Sequence, residues 1–253
     1  MPAEPDLFFI MQCYEDAARL PRCLGRLRRH YPRARALVIS DGCGDPAISR
    51  ACGEHGVGFE LGARLFTHEH GGAAMHRLLA RFLEGPEPVM IKMDPDTDVF
   101  GPLEFTPSDF ERPKVLGMLQ STGSGSARMP GVQGGCVVVN RLAAERIVAS
   151  GLLLHDDMGP PRYVWAVSPQ LMRRARELGL SSHDWTLAYA CRTLGIPIEP
   201  KAGIFSVWKP SLRAWLGSRR SRIVHPRMTL WLCLRAEFGG LLRRHNRGLA
   251  ARS

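Results

Sequence analysis

Three aspartates fall within five residues in the stretch IKMDPDTDVF, Ile91–Phe100, directly after an apolar run. Asp94, Asp96 and Asp98 repel one another, so a chain that gathers them either caps a turn or offers them to a cation. Hard divalent cations take oxygen ligands, and Mg2+ commonly meets one or two carboxylates plus the phosphates of a substrate. In an extended segment, residues i and i+2 project to the same side, so Asp94 and Asp96 would face one ion together. Pro95 stiffens the turn between them and reduces the entropy lost in ordering it. A calcium loop of the EF-hand kind fails here. It needs glycine at its sixth position and glutamate at its twelfth, where this chain has Val99 and Phe105.

Other chemical motifs are absent or incomplete. There is no G-x-x-x-x-G-K-[ST] loop, and GSGSAR at 123–128 lacks the third glycine of a dinucleotide fingerprint. His68, His70 and His76 in THEHGGAAMH do not have the H-E-x-x-H spacing of a zinc helix, so they are expected to be ordinary histidines. G-x-S-x-G, the mark of one serine hydrolase design, does not occur.

The elements that would position the aspartates follow a regular tempo. Leu7–Cys13 reads as a buried strand, followed by a helix over Ala17–His30 with Leu20, Leu24 and Leu27 on one face. Ala36–Ser40 is a second strand, Ala47–His55 a helix and Val57–Leu61 a third strand. A helix follows Gly71–Gly72, and the strand Val89–Met93 delivers the aspartates. Alternation of this kind predicts an α/β fold with a mostly parallel sheet and helices on both faces. Ligands of such sheets sit beyond the C-terminal strand ends, so Tyr14–Asp16, Asp41–Asp45 and Asp94–Asp98 should converge on one rim. Further on, Val115–Gln120 and Cys136–Asn140 read as strands, and STGSGSARMPG between them as a loop. Helices are expected at Leu142–Ser150, Gln170–Leu178, Trp185–Leu194 (capped by Ser182 or Asp184) and 228–244.

Hydrophobic residues make up 45% of the chain and charged residues 23%, as in ordinary folded proteins. No apolar run is long enough to span a membrane, and the N-terminus lacks the basic region of a signal peptide. Seven cysteines without a C-x-x-C spacing suit reduced thiols in a cytoplasmic protein. The net charge of +10 is concentrated: residues 211–253 hold ten arginines and a single acid, Glu237. The expected organisation is one domain over residues 1–210 and a basic extension over 211–253, packed on or closing over the site. Such an extension suits a polyanion, a phosphorylated ligand or peripheral contact with an anionic membrane.

The ordered set of segments resembles the GT-A glycosyltransferases that use nucleotide-sugar donors. LFFIMQCYEDAARLPRCL is similar to their first strand and helix, LVISDGCGDP to their second strand with its D-D-G-S-x-D turn, and VMIKMDPDTDVF to their D-x-D strand. GVQGGCVVVNRLAAERI resembles the acceptor-side glycine strand and helix, and SSHDWTLAYACRTLGI the E-D-x-x-L…R-x-x-G-[IV] helix. The resemblance covers roughly residues 7–200.

What the resemblance implies is specific. Tyr14, Glu15, Asp41 and Asp94 would bind the donor nucleotide, with Ser40 standing where the family has an acid. Asp96 with Asp94 would hold Mg2+ or Mn2+, and IVHP at 223–226 looks like the late segment whose histidine, here His225, reaches the metal. Gly134, Gly135, Trp185 and Trp208 would lie on the acceptor side. Asp184 would be the catalytic base of an inverting transfer, His183 replacing the preceding glutamate. The alternative use of Asp184 is a helix cap. The donor would be a UDP-, GDP- or dTDP-sugar, and the acceptor a glycan, a lipid-linked or a small molecule; a homodimer is compatible with all of this. A sugar-phosphate nucleotidyltransferase of related fold would need a glycine-rich basic loop after the first strand, which YEDAARLPR does not supply. A nucleic-acid-binding or other non-catalytic relative would use the basic extension, but aspartates at the presumed site disfavour nucleic acid.

Overall fold

The computed structural model describes residues 6–65, 70–122, 129–154, 183–206, 211–225 and 233–234. Strand β1 (Leu7–Cys13, LFFIMQC) is buried along its whole length. An apolar run of this kind belongs in the middle of a sheet covered on both faces. Helix α1 (Leu20–His30) follows, with Pro21 in its first turn and Arg28, Arg29 and His30 in its last. Proline at the start and cations at the end both suit helix polarity. Strand β2 (Arg35–Asp41) leads to α2 (Pro46–Glu54), where the Asp45 carboxylate accepts the Ala47 N–H at 2.8 Å. Strand β3 (Gly58–Gly62), helix α3 (Gly71–Leu83) and strand β4 (Val89–Met93) complete the regular half.

Beyond it come the two-residue strand β5 (Asp98–Val99), strands β6 (Val115–Thr122) and β7 (Met129–Asn140), and helices α4 (Arg141–Ala149) and α5 (His183–Leu194). Four short elements follow α5: strands β8 (Ile198–Pro200) and β9 (Ile204–Ser206), then helix α6 (Leu212–Arg219) and strand β10 (Ile223–His225). The main sheet has the order β3-β2-β1-β4-β7-β6-β8. Its first four strands are parallel, β7 runs antiparallel to β4 and β6, and β8 is parallel to β6. A second sheet has the order β5-β10-β9.

The main sheet carries helices on both faces. Leu7, Phe9, Met11, Val38, Ile91 and Met93 pack against Leu20, Leu24 and Leu27 of α1 and Ile48 of α2. The alternate residues Phe8, Ile10, Ile39, Met90 and Val137 pack against α3, α4 and α5. This is the α/β class that the sequence implies, a mostly parallel sheet with helices on both faces. Among the described residues no helix is long and apolar enough to cross a membrane.

Two expectations change. Strand β7 starts at Met129 and not near Cys136, so the end of the expected loop, Met129–Gly131, is strand paired with β6. Helix α5 is described from His183 onward, so Asp184 lies inside the helix and not ahead of it. Ser182, the other expected cap, the expected helix at Gln170–Leu178 and most of 228–244 lie outside the described residues.

Candidate functional site

Strand β4 ends at Met93, and the chain turns at once. The Thr97 N–H donates to the Asp94 carbonyl at 3.0 Å, closing a four-residue turn with Pro95 in its second position. Proline's fixed φ suits that place. The segment is therefore a turn and not the extended strand end expected, but it still gathers the two carboxylates. The Gly135 carbonyl of β7 clamps the turn from beneath, accepting the Asp94 N–H at 3.1 Å and the Thr97 hydroxyl at 2.9 Å.

Over this turn lies His225, the last residue of β10 and only 1% exposed. Its Nε2 sits 3.3 Å from Asp94 Oδ2 and 3.0 Å from Asp96 Oδ1. Neighbouring ligand atoms bound at about 2.1 Å and right angles around one ion are about 3.0 Å apart, so both distances from Nε2 are near the spacing of neighbouring ligands. One ligand atom from each of the three lies within 4.8 Å of the others. Two carboxylates and an imidazole suit a divalent cation of the Mn2+ or Mg2+ type, the imidazole shifting the set toward transition metals. The second ring nitrogen, Nδ1, is 3.1 Å from Ser206 Oγ of β9. If a metal took the place of the Nε2 proton that bonds Asp96, Nδ1–H donating to that hydroxyl would leave the Nε2 lone pair for the ion, the usual support for a ligating histidine.

The small sheet aims His225. Strand β10 pairs with β9 in parallel and with β5 antiparallel, Val224 opposite Asp98. Asp98 itself points elsewhere. Its carboxylate meets Arg22 at 2.8 Å and Arg26 at 3.1 Å, both from α1. The third aspartate of the opening stretch is thus a strut between α1 and the small sheet. Gly135 is required by the same packing, because a Cβ there would overlap the His225 imidazole. Gly134 offers its carbonyl to Lys92 at 2.5 Å. Both glycines therefore touch the residues on the metal side.

Asp96 is partly buried, which works against its charge. The His225 hydrogen bond and charge, with Arg19 at 3.6 Å, nevertheless hold its carboxyl below the ordinary value. Asp16, on the loop after β1, goes the other way: burial pushes it up, and the charges of Asp96 and Asp94 add to the effect.

A second cluster forms at the ends of β1 and β2. Asp41 is fully buried; Arg77 of α3 bonds its Oδ1, the Leu65 N–H reaches the same oxygen at 3.0 Å, and Arg64 lies 3.6 Å from Oδ2. The Arg64 guanidinium also covers the Tyr14 ring, 3.2 Å from its centroid. Tyr14 and Asp41 are thus joined through one arginine. Glu15 is exposed and holds φ of 57°, a left-handed conformation that is costly for a non-glycine residue and concentrates at functional sites. Ser40, in place of an acid, gives its hydroxyl to the Cys43 carbonyl and closes the turn after β2.

Helix α5 runs toward the opposite end of the sheet, since β8 directly after it pairs at Ile198 with Val115, the first residue of β6. Its first turn, with Asp184 and Trp185, is therefore on the rim side. Trp208 lies outside the described residues, as does His68. Sequence reasoning missed Arg64, Arg77 and Lys92. The last had a signal: a lysine inside the apolar strand VMIKM, two residues before Asp94 and so on its side of the strand.

No family model and no curated protein matches the sequence. Among solved structures, a mannosyltransferase from Pyrobaculum calidifontis in complex with GDP-Man and Mn2+ is similar at 11% identity, with a TM-score of 0.38. The match covers 55% of this chain and 46% of that one, so the chain spans less than half the length of that relative.

Proposed function

We propose that this protein is a metal-dependent glycosyltransferase that uses a nucleotide-diphosphate sugar. The observation that carries the reading is the convergence of Asp94, Asp96 and His225, from two different sheets, at the strand-end rim where ligands of α/β sheets bind. These residues would hold Mg2+ or Mn2+, which when bound supplies positive charge where a leaving diphosphate develops negative charge. Tyr14, Glu15 and Asp41 with its arginines line the same rim and would receive the nucleoside. Arg19, on the exposed side of Asp96, would meet phosphate oxygens.

In the transfer, an acceptor hydroxyl oxygen bonds to the anomeric carbon as that carbon's bond to the phosphate oxygen breaks. The nucleoside diphosphate leaves with the bonding pair, and the hydroxyl proton passes to the Asp184 carboxylate. One displacement inverts the anomeric configuration. The acceptor would approach past Trp185 and Trp208, since the two glycines of the resemblance, Gly134 and Gly135, are buried under the metal side. Asp184→Asn should abolish transfer and leave nucleotide binding intact.

The reading is tested by thermal shift with UDP, GDP, dTDP and CDP, each with and without Mn2+. One base should stabilise the protein in a metal-dependent way. Absence of metal-dependent stabilisation by every nucleotide would overturn the assignment.

A further inference from the structure

Lys92 is 0% exposed, buried in the middle of the main sheet. Its ammonium group bonds Asp94 Oδ1 at 2.5 Å and the Gly134 carbonyl at 2.5 Å. A buried ammonium is costly unless paired, and Lys92 is paired with the carboxylate that also faces His225. The two oxygens of Asp94 are thereby divided. Oδ1 is taken by lysine, while Oδ2 faces the space shared with Asp96 Oδ1 and His225 Nε2.

We infer that Lys92 is a positioning residue that presents one oxygen of Asp94 to the metal and cancels one of the site's two negative charges, so that metal and diphosphate bind tightly only together. The inference rests on the metal site proposed above. The charges around the cluster support it. Asp94 and Asp96 bring two negative charges, and Lys92 returns one from within the fold. Arg19 approaches Asp96 from solvent, with its side chain 65% exposed, and is screened accordingly. Asp98 is neutralised by Arg22 and Arg26, and Asp16 adds negative charge from the loop after β1. A divalent cation entering alone therefore meets a carboxylate pair already half compensated, with an unscreened buried cation behind it. A diphosphate feels the same lysine with the opposite sign. The fixed charge weakens metal alone and strengthens the metal–diphosphate pair.

The test compares calorimetric titrations of Mn2+ alone and of preformed Mn2+–pyrophosphate, pyrophosphate standing for the diphosphate of a donor. In the unaltered protein, Mn2+–pyrophosphate should bind at least about a hundredfold more tightly than Mn2+ alone. In Lys92→Met, Mn2+ alone should bind about tenfold or more tightly than before and the pyrophosphate complex more weakly, shrinking the ratio. Lys92→Arg, which keeps the charge, should preserve the larger ratio. Lys92→Gln, which keeps a donor without the charge, should behave as the methionine variant and carries the test if that variant does not fold. An unchanged ratio in the uncharged variants, or equal affinity for the two ligands in the unaltered protein, overturns the role of Lys92 alone. No binding of either ligand to the unaltered protein overturns the metal site as well.

Discussion

Gly135 and His225 compete for one volume. A side chain at 135 would enter the imidazole, so the ring reaches Asp94 and Asp96 only because that side chain is missing. Gly135→Ala should therefore displace His225 and remove one of the three proposed ligands while leaving the sheet in place. Mn2+ affinity should fall at least about tenfold, equivalent to ~1.4 kcal/mol, with little change in far-ultraviolet circular dichroism. Gly53 is the matched control, since a methyl there meets nothing within 4 Å. Gly53→Ala lies in α2 and should leave metal binding unchanged while raising stability by up to about 1 kcal/mol, read by urea unfolding. Equal metal affinity in both variants would separate Gly135 from the site.

Strand β5 is two residues long, and periodicity cannot announce so short an element. Side chains hold it instead. Asp98 bridges Arg22 and Arg26 of α1, Arg26 covers the Phe100 ring at 4.6 Å, and the Phe100 N–H donates to the Arg222 carbonyl at 2.6 Å. Because β10 pairs with β5, loosening this strut should loosen His225. Asp98→Asn should cost about 2 kcal/mol by urea unfolding, the scale of a hydrogen bond to a charged group. Metal affinity should fall with it, although Asp98 is not in the ligand set. The first half of the fold was legible because β1, β2 and β4 are apolar runs and their helices show a regular apolar face. The start of strand β7 was hidden by Pro130 and Gly131, residues that locally read as loop. At Gly135 the glycine answers to an imidazole ninety positions later, which no local pattern contains. The same separation explains the partial legibility of the site. The paired aspartates announce a cation, whereas the partners of Asp41 and Asp94, Arg64, Arg77 and Lys92, appear only when strands and helices meet.

The whole molecule carries 34 Lys and Arg residues against 24 acids, so acidification drives it toward high positive charge and self-repulsion. How steeply stability falls depends on carboxylates that the fold holds in ionised form. Asp109 is one of them, away from the site. Burial works against its charge, but Lys201 at 2.8 Å and the N–H and hydroxyl of Thr106 hold it below the ordinary carboxylate range. It joins the segment before β6 to the residue after β8, and the Asn140 side chain donates to its carbonyl at 2.9 Å. A carboxylate with a depressed folded-state pKa binds fewer protons in the folded than in the unfolded chain. Its contribution is therefore complete above the ordinary range, about pH 4, and disappears as pH falls through the folded value. Asp96 adds to the same window for the same reason. Asp109→Asn should lower stability near neutral pH and flatten the loss between about pH 4.5 and 2.5, measured as urea unfolding across that range. The neutral-pH loss should be about 1 to 3 kcal/mol, because Lys201 is left buried with one partner fewer. A variant whose acid limb is as steep as that of the unaltered protein would show that Asp109 is not among the groups that set it, and the slope would then fall to the carboxylates around the proposed metal site.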